Sequence, residues 1–334
     1  MAGPRILVVK LSALGDLFHA LPAVHALKHA LDAEIHWITH TQYVPLVQCF
    51  TDVTRVLPFY RHSFFRDAPR FLRALRETRY DIALDMQGLL KSALVLRLAR
   101  ATRRIGPAWA KEGARLFYSE QAGTGDRTRH ALDRMYDVLP VLDVPVPDTP
   151  VFPVTFPELT LDAPRPRIGV LPVSRWPTKN WPVANFAAVA DALHERVGGS
   201  IFLLGGPEDD AVCAALERQV TCPVENRAGQ DDLVGLGSLL QELDLLLCND
   251  SGPMHMAAAL GTPVLAVFGP TDPGRTGPVG AAHRTLSADV PCRPCFARSC
   301  RQGDLRCLAG VTPAQVVDAA AAGMLGETTS TDDA

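Results

Sequence analysis

Three segments of this sequence hold reactive side chains where a buried apolar run gives way to a loop. In KLSALGD, residues 10–16, the run ends at Val9, a loop with Gly15 follows, and helical apolar spacing resumes from Asp16. A carboxylate at the carboxyl end of a strand can accept a proton from a bound hydroxyl. Asp is equally a favoured helix N-cap, and spacing alone leaves both readings open. The second segment, residues 172–182, holds Ser174, Arg175, Thr178 and Lys179 ahead of Pro182. Cations there suit a leaving group whose negative charge grows as a bond breaks; a solvated loop pinned by Trp181 fits the same residues. The third is NDSGPMH, residues 249–255. Its Asp-Ser-Gly turn and proline-started helix would aim free backbone N–H groups and a positive helix end at one point, which makes an anion site. His255 falls on the first turn of that helix, either structural or beside the bound group, and FGPTDP at 268–273 forms another rigid polar turn.

These segments need strands to end beside one another. Short apolar runs alternate with amphipathic stretches along the whole chain, which predicts an α/β fold with parallel strands. The first half predicts strands over Ile6–Val9, Ile35–Thr39 and Asp81–Met86, with helices over Asp16–Leu31 and Gly88–Arg100. The second half restarts the pattern: strands over Ile168–Leu171, Ile201–Leu204, Leu245–Cys248 and Val264–Phe268, with helices over Val183–Arg196, Glu208–Val220 and Pro253–Leu260. Between the halves, proline recurs through residues 143–167. Proline removes a donor and fixes φ, so this stretch reads as a semi-rigid extended linker. The division expected is a first domain over 1–150, a linker over 151–167, a second domain over 168–324 and a disordered polar tail over 325–334. Two such domains would face a central cleft lined by strand carboxyl ends.

The 334 residues suffice for two cores, and 47% hydrophobic with 21% charged residues is a globular balance. A formal charge of −3 gives no global attraction to nucleic acid. No stretch approaches the roughly 18 unbroken apolar residues of a spanning helix, and MAGPRILVVK is too soon interrupted for a secretory signal. The expectation is a cytoplasmic enzyme without a transmembrane segment.

The motifs KLSALGD, the lysine loop ending in KNWP, NDSGPMH and FGPTDP, with DMQGLLKSAL at 85–94, resemble those of glycosyltransferase family 9, the lipopolysaccharide heptosyltransferases. The likeness keeps its order from Arg5 to about Val317. It implies a GT-B fold of two Rossmann-like domains, an ADP-heptose donor on the carboxyl-terminal domain, and a Kdo-lipid A type acceptor met by the amino-terminal one at the inner membrane face. By the resemblance, Asp16 matches the general base and Lys179 the lysine on the donor's phosphates and ribose. Ser174 lies in the same loop, Glu208 matches the acid on the ribose hydroxyls, and Asp250, Ser251, Gly252 and His255 match the donor turn. The implied reaction inverts the sugar's anomeric centre by direct displacement, with no metal or cofactor. Lys10, Arg61, Arg66 and Lys91 are the acceptor candidates; the basic segment from Arg61 to Arg73, with His62 and Arg70, reads equally as the arginine face of an amphipathic surface helix.

Cys292, Cys295, Cys300 and Cys307 lie within sixteen residues, a density that raises either a structural zinc site or reduced, redox-labile thiols. The Pro291-Cys292 run also raises a zinc deaminase, but none of the ten histidines is followed two positions on by Glu, as that chemistry requires. A Rossmann dehydrogenase fails because KLSALGD has one glycine where the dinucleotide fingerprint has three. The rivals left are a family 9 transferase for another activated sugar, a GT-B nucleotide-sugar epimerase, and a sugar-nucleotide-binding module without catalysis.

Overall fold

The structure is a computed structural model that describes residues 3–60, 64–321 and 324–325. It divides into two compact units, Met1–Thr155 and Phe156–Ala334.

In the first unit the strands are β1 (Arg5–Val9), β2 (Glu34–His40), β3 (Val53–Phe59), β4 (Arg79–Asp85), β5 (Arg100–Pro107) and β6 (Glu120–Ala122). They form one parallel sheet in the order β3-β2-β1-β4-β5-β6. The helices are α1 (Leu14–Leu31), α2 (Val44–Gln48), α3 (Phe64–Glu77), α4 (Leu90–Leu98) and α5 (Ala131–Tyr136). Burial on both sheet faces explains why β1 is apolar from Ile6 to Val9 and not alternating. Pro58 is tolerated because β3 is an edge strand.

The second unit repeats the plan. Its strands are β7 (Arg167–Leu171), β8 (Ser200–Leu203), β9 (Val224–Asn226), β10 (Leu245–Asn249), β11 (Val264–Val267) and β12 (Arg284–Leu286). Their parallel order is β12-β11-β10-β7-β8-β9, which counted from β7 is the same 3-2-1-4-5-6 winding. The helices are α6 (Val183–Val197), α7 (Asp210–Glu217), α8 (Leu233–Gln241), α9 (Gly252–Ala259), α10 (Pro273–Thr276), α11 (Arg306–Ala309) and α12 (Pro313–Ala321). In an open doubly wound sheet the chain leaves in opposite directions from the two central strands, and the crevice outside their carboxyl ends is the natural ligand site. Those strands are β1 and β4 in one unit, β7 and β10 in the other.

Several expected boundaries shift. The first helix starts at Leu14, so Asp16 is its third residue and not its cap. The stretch expected as one helix over Glu208–Val220 opens with a 3-10 turn, Pro207–Asp209, and its α-helix ends at Glu217. The proline-rich stretch, expected as a semi-rigid extended linker, is held along part of its length: Thr51 donates to the Pro153 carbonyl at 2.9 Å, Phe50 bridges Val154, and Phe156 is buried against Gly237. Residues 326–334 of the expected tail lie outside the described residues.

Gly169 shows how tightly the second sheet is filled. A Cβ there would lie 2.5 Å from Leu243 Cδ1 and 2.9 Å from Leu204 Cδ1, both on buried side chains. Gly169→Ala should therefore cost about 1–3 kcal/mol of unfolding free energy through overpacking, measured by urea denaturation. Unchanged stability would show that the two leucines can repack.

Candidate active site

In the first unit the site grows from the ends of β1 and β4. Lys10, one residue beyond β1, is 3% exposed, and its Nζ donates to the Met86 carbonyl at 2.8 Å just past β4. Burial lowers its pKa, and the nearby charges of Asp16 and Asp85 oppose that shift. Lys10 therefore ties the two central strands together and does not extend outward. Gln87 Oε1 accepts from the backbone N–H groups of Leu11 and Ser12, both at 3.0 Å, which fixes the loop before α1. Asp16 Oδ2 then accepts from the Ala13 N–H at 3.0 Å, leaving a half-buried carboxylate at the start of α1.

Beneath this loop lies a carboxylate that sequence reasoning did not single out. Asp85, 1% exposed, accepts from Gln87 N–H at 2.8 Å, Gly88 N–H at 3.0 Å and Tyr118 Oη at 2.7 Å, with Ser92 Oγ at 2.9 Å. Burial raises its pKa, and these donors work against that rise. Burial and the neighbouring Asp85 charge also push the Tyr118 phenol upward. The hint in the sequence was that DMQGLLKSAL, which begins with Asp85 at a predicted strand end, is one of the motifs shared with the resembling family.

The other basic candidates are dispersed. Arg66 lies on the exposed face of α3, paired with Asp67 at 3.4 Å, and Arg70 and Arg73 share that exposure while Phe71 and Leu75 face inward. This is the amphipathic helix with an arginine face. Lys91 is half-buried in the first turn of α4. Arg61 lies outside the described residues.

In the second unit four expected residues do come together. Asp250, just past β10 and 4% exposed, holds Lys179 Nζ at 2.7 Å and accepts from Thr271 Oγ1 at 2.6 Å on the same oxygen. Ser174 Oγ donates to the Asp250 carbonyl at 2.9 Å. Asn249 secures the geometry: its Oδ1 accepts from Trp181 N–H at 3.0 Å and its Nδ2 donates to the Pro172 carbonyl at 2.7 Å. Next to this hub, Ser251 is the N-cap of α9, yet its side chain makes no capping bond and its buried Oγ has no hydrogen-bond partner. The helix thus presents Ser251 and an amino terminus led by Gly252 without a side-chain cap, which suits an anion. His255 is buried at the end of the first turn. Glu208 is exposed in the 3-10 turn after β8, its carboxylate folded over Gly206, while Asp209 accepts the Gly206 N–H at 2.9 Å.

The cysteine-bearing loop supports this hub from outside. Arg293 donates to the carbonyls of Gly269 at 2.8 Å and Thr271 at 2.9 Å, and the N–H groups of Cys295 and Phe296 both reach the Pro270 carbonyl. Arg298 Cζ and Lys179 Nζ sit 4.8 Å and 4.7 Å from the Trp176 ring centre. Sequence reasoning missed Arg293, Arg298 and Thr271, whose roles depend on long-range folding. Among the described residues no three of the four loop thiols come within 4.8 Å of one another, and all are reduced.

Two parallel doubly wound units, one carrying an uncapped helix beside a lysine and the other a carboxylate at its switch point, fit a nucleotide-sugar enzyme of the GT-B architecture, and matches to known proteins make the chain a glycosyltransferase. Residues 69–306 match the model of glycosyltransferase family 9 (heptosyltransferase). The chain is 30% identical to lipopolysaccharide heptosyltransferase 1 of Pseudomonas aeruginosa over 316 residues, 89% of this chain and 87% of that one. It is 27% identical to lipopolysaccharide heptosyltransferase 2 of Salmonella typhimurium, over 94% of this chain and 97% of that one. The E. coli heptosyltransferase WaaC solved with ADP superposes with a TM-score of 0.78 at 26% identity, covering 93% of this chain and 97% of that chain. This chain belongs to glycosyltransferase family 9, the heptosyltransferases. No described helix is long and apolar enough to cross a membrane.

The Asp85 network has a pH signature. An acid whose pKa is raised on folding keeps its proton to higher pH in the folded state than in the unfolded one. Its drag on stability is absent below the unfolded carboxyl value and grows as pH rises through the folded value. Tyr118→Phe removes one of the donors that restrain the shift. It should destabilise the chain by about 1–3 kcal/mol near pH 7 and by clearly less near pH 4, as read from thermal melts across that range. An effect of the same size at both pH values would mean that Tyr118 acts by packing alone.

Proposed function

We propose that this enzyme transfers L-glycero-D-manno-heptose from ADP-heptose onto the Kdo/heptose inner core of lipopolysaccharide, with inversion at the anomeric carbon. The observation that carries the donor reading is the Lys179–Asp250–Ser251 cluster at the uncapped start of α9. A diphosphate there meets backbone N–H groups, the Ser251 hydroxyl and the remaining N–H groups of Lys179, all of which strengthen as the leaving group gains charge. The solved relative bound to ADP, and relatives named for both lipopolysaccharide heptosyltransferase 1 and 2, support that donor and acceptor class. On this reading the amino-terminal unit takes the acceptor and the carboxyl-terminal unit the donor. Glu208 serves the ribose hydroxyls, and His255 backs the donor turn.

Asp16 acts as the general base. Its carboxylate is held by one backbone N–H and keeps acceptor capacity for the incoming hydroxyl. As the acceptor oxygen attacks the anomeric carbon, its proton passes to Asp16 and the bond to the ADP β-phosphate oxygen breaks. Lys10 works from below by locking the β1 and β4 ends, while Arg66 and Lys91, with Arg61, remain for the acidic groups of an acceptor at the inner membrane face.

Asp16→Ala should lower kcat by about 10²- to 10⁴-fold with ADP affinity nearly unchanged; near-normal turnover would remove Asp16 from the mechanism. Lys179→Ala should weaken ADP binding roughly 10- to 100-fold by calorimetry, the loss of a charge-assisted contact; unchanged affinity would count against the donor site. The deciding assay is ADP release from ADP-heptose with a Kdo-bearing lipid A acceptor and with a singly heptosylated one. Release with the first identifies transfer of the first heptose, and release only with the second identifies transfer of the next. Release with neither would overturn the substrate assignment.

A further inference from the structure

Away from the strand ends, α1 carries His25 and His29 one turn apart, facing the buried Asp52 that follows α2. His25 Nδ1 lies 2.7 Å from Asp52 Oδ2 and His29 Nε2 3.5 Å from Oδ1, with the two imidazole rings 4.3 Å apart. One ligand atom from each residue falls within 4.8 Å of the other two, the only such His, Cys or carboxylate trio among the described residues. Nitrogen and oxygen ligands sit about 2.0–2.1 Å from zinc, so neighbouring tetrahedral ligands are about 3.3 Å apart. The two histidine–carboxylate separations, made to different oxygens of Asp52, bracket that value.

We propose that His25, His29 and Asp52 form a binding site for a divalent cation of the zinc class, with solvent completing the coordination. The donor set argues for this class: two imidazoles with one carboxylate suit zinc, cobalt or nickel, whereas magnesium and calcium favour all-oxygen sites. The backbone around Asp52 gives the site a structural consequence. Thr51 N–H donates to the Pro153 carbonyl and Thr155 N–H to the Cys49 carbonyl, both at 2.9 Å. A bound cation would therefore clamp the helix that begins beside Asp16 to the strap that ends the first unit.

The test is titration of the full chain with Zn2+, followed by X-ray absorption on the zinc-loaded protein. The alternative explanation for binding is the cysteine loop, and the absorption spectrum separates the two. Expected is one equivalent bound with nitrogen or oxygen neighbours at about 2.0 Å; sulfur neighbours at about 2.3 Å would assign the metal to the thiols and overturn the proposal. His29→Ala is the clean variant, because that side chain is 61% exposed and its loss should leave the metal-free melting temperature unchanged. It should weaken zinc binding at least tenfold and abolish the zinc-dependent rise in melting temperature. Unaltered affinity in His29→Ala, or no binding by the native chain, would show the trio to be a hydrogen-bonded cluster only.

Discussion

Each unit's candidate site depends on a carboxylate fixed at or just past the end of a central strand of a doubly wound parallel sheet. The winding leaves a crevice where the chain departs oppositely from two adjacent strands, and a crevice needs a floor. Asp85 supplies it at the end of β4 and Asp250 just past β10. Both are almost wholly buried, a state in which a lone charge would be costly. The two sites resolve this differently. Asp85 is surrounded by neutral donors, backbone and hydroxyl, and its raised pKa reports how incompletely they offset burial. Asp250 instead holds a lysine ammonium and a threonine hydroxyl on one oxygen.

That difference suits opposite tasks. The Asp85 network shapes a loop: it fixes residues 85–88, which present Gln87 to the Leu11 and Ser12 amides and the Met86 carbonyl to Lys10. The conformation of the segment before α1, and so the position of Asp16, follows from those contacts. The Asp250 network shapes a charge. It orients Lys179 and is itself braced by the 268–272 turn, which the Arg293 loop grips through three backbone carbonyls. The cysteine-rich segment thus has a mechanical role that its thiols do not explain.

Much of this was legible because buried parallel strands read as unbroken apolar runs: β1, β7, β10 and β11 stand nearly where the hydrophobic pattern puts them. The edge strands were not legible. β6, β9 and β12 are three residues each, too short for periodicity, and β5, one place in from the edge, reads RATRRIGP, whose arginines at 100, 103 and 104 break up any apolar run. Lys179, Ser174 and Asp250 could be nominated as separate loop residues, but their convergence belongs to strand order, which pairs β7 with β10 across some 75 residues of sequence. The same limit hid Asp85 and Tyr118, and it hid the burial of the acceptor candidate Lys10 between two central strands.

On the proposed donor assignment, the Lys179–Asp250 pair also bears on how such a site balances affinity against turnover. Paired, the two side chains carry no net charge, so the lysine is not a free attractor for any anion. Its ammonium has three N–H groups, and one directed at Asp250 leaves others for a phosphate oxygen. The attraction on a diphosphate then comes largely from directed hydrogen bonds and the start of α9, both strongest for the charge-rich leaving group as the glycosidic bond breaks. An unpaired lysine would hold substrate and product nucleotide tightly alike, and uniform binding of that kind does not raise turnover. On that proposal, Asp250 keeps the cation oriented while limiting its pull on the departing nucleotide.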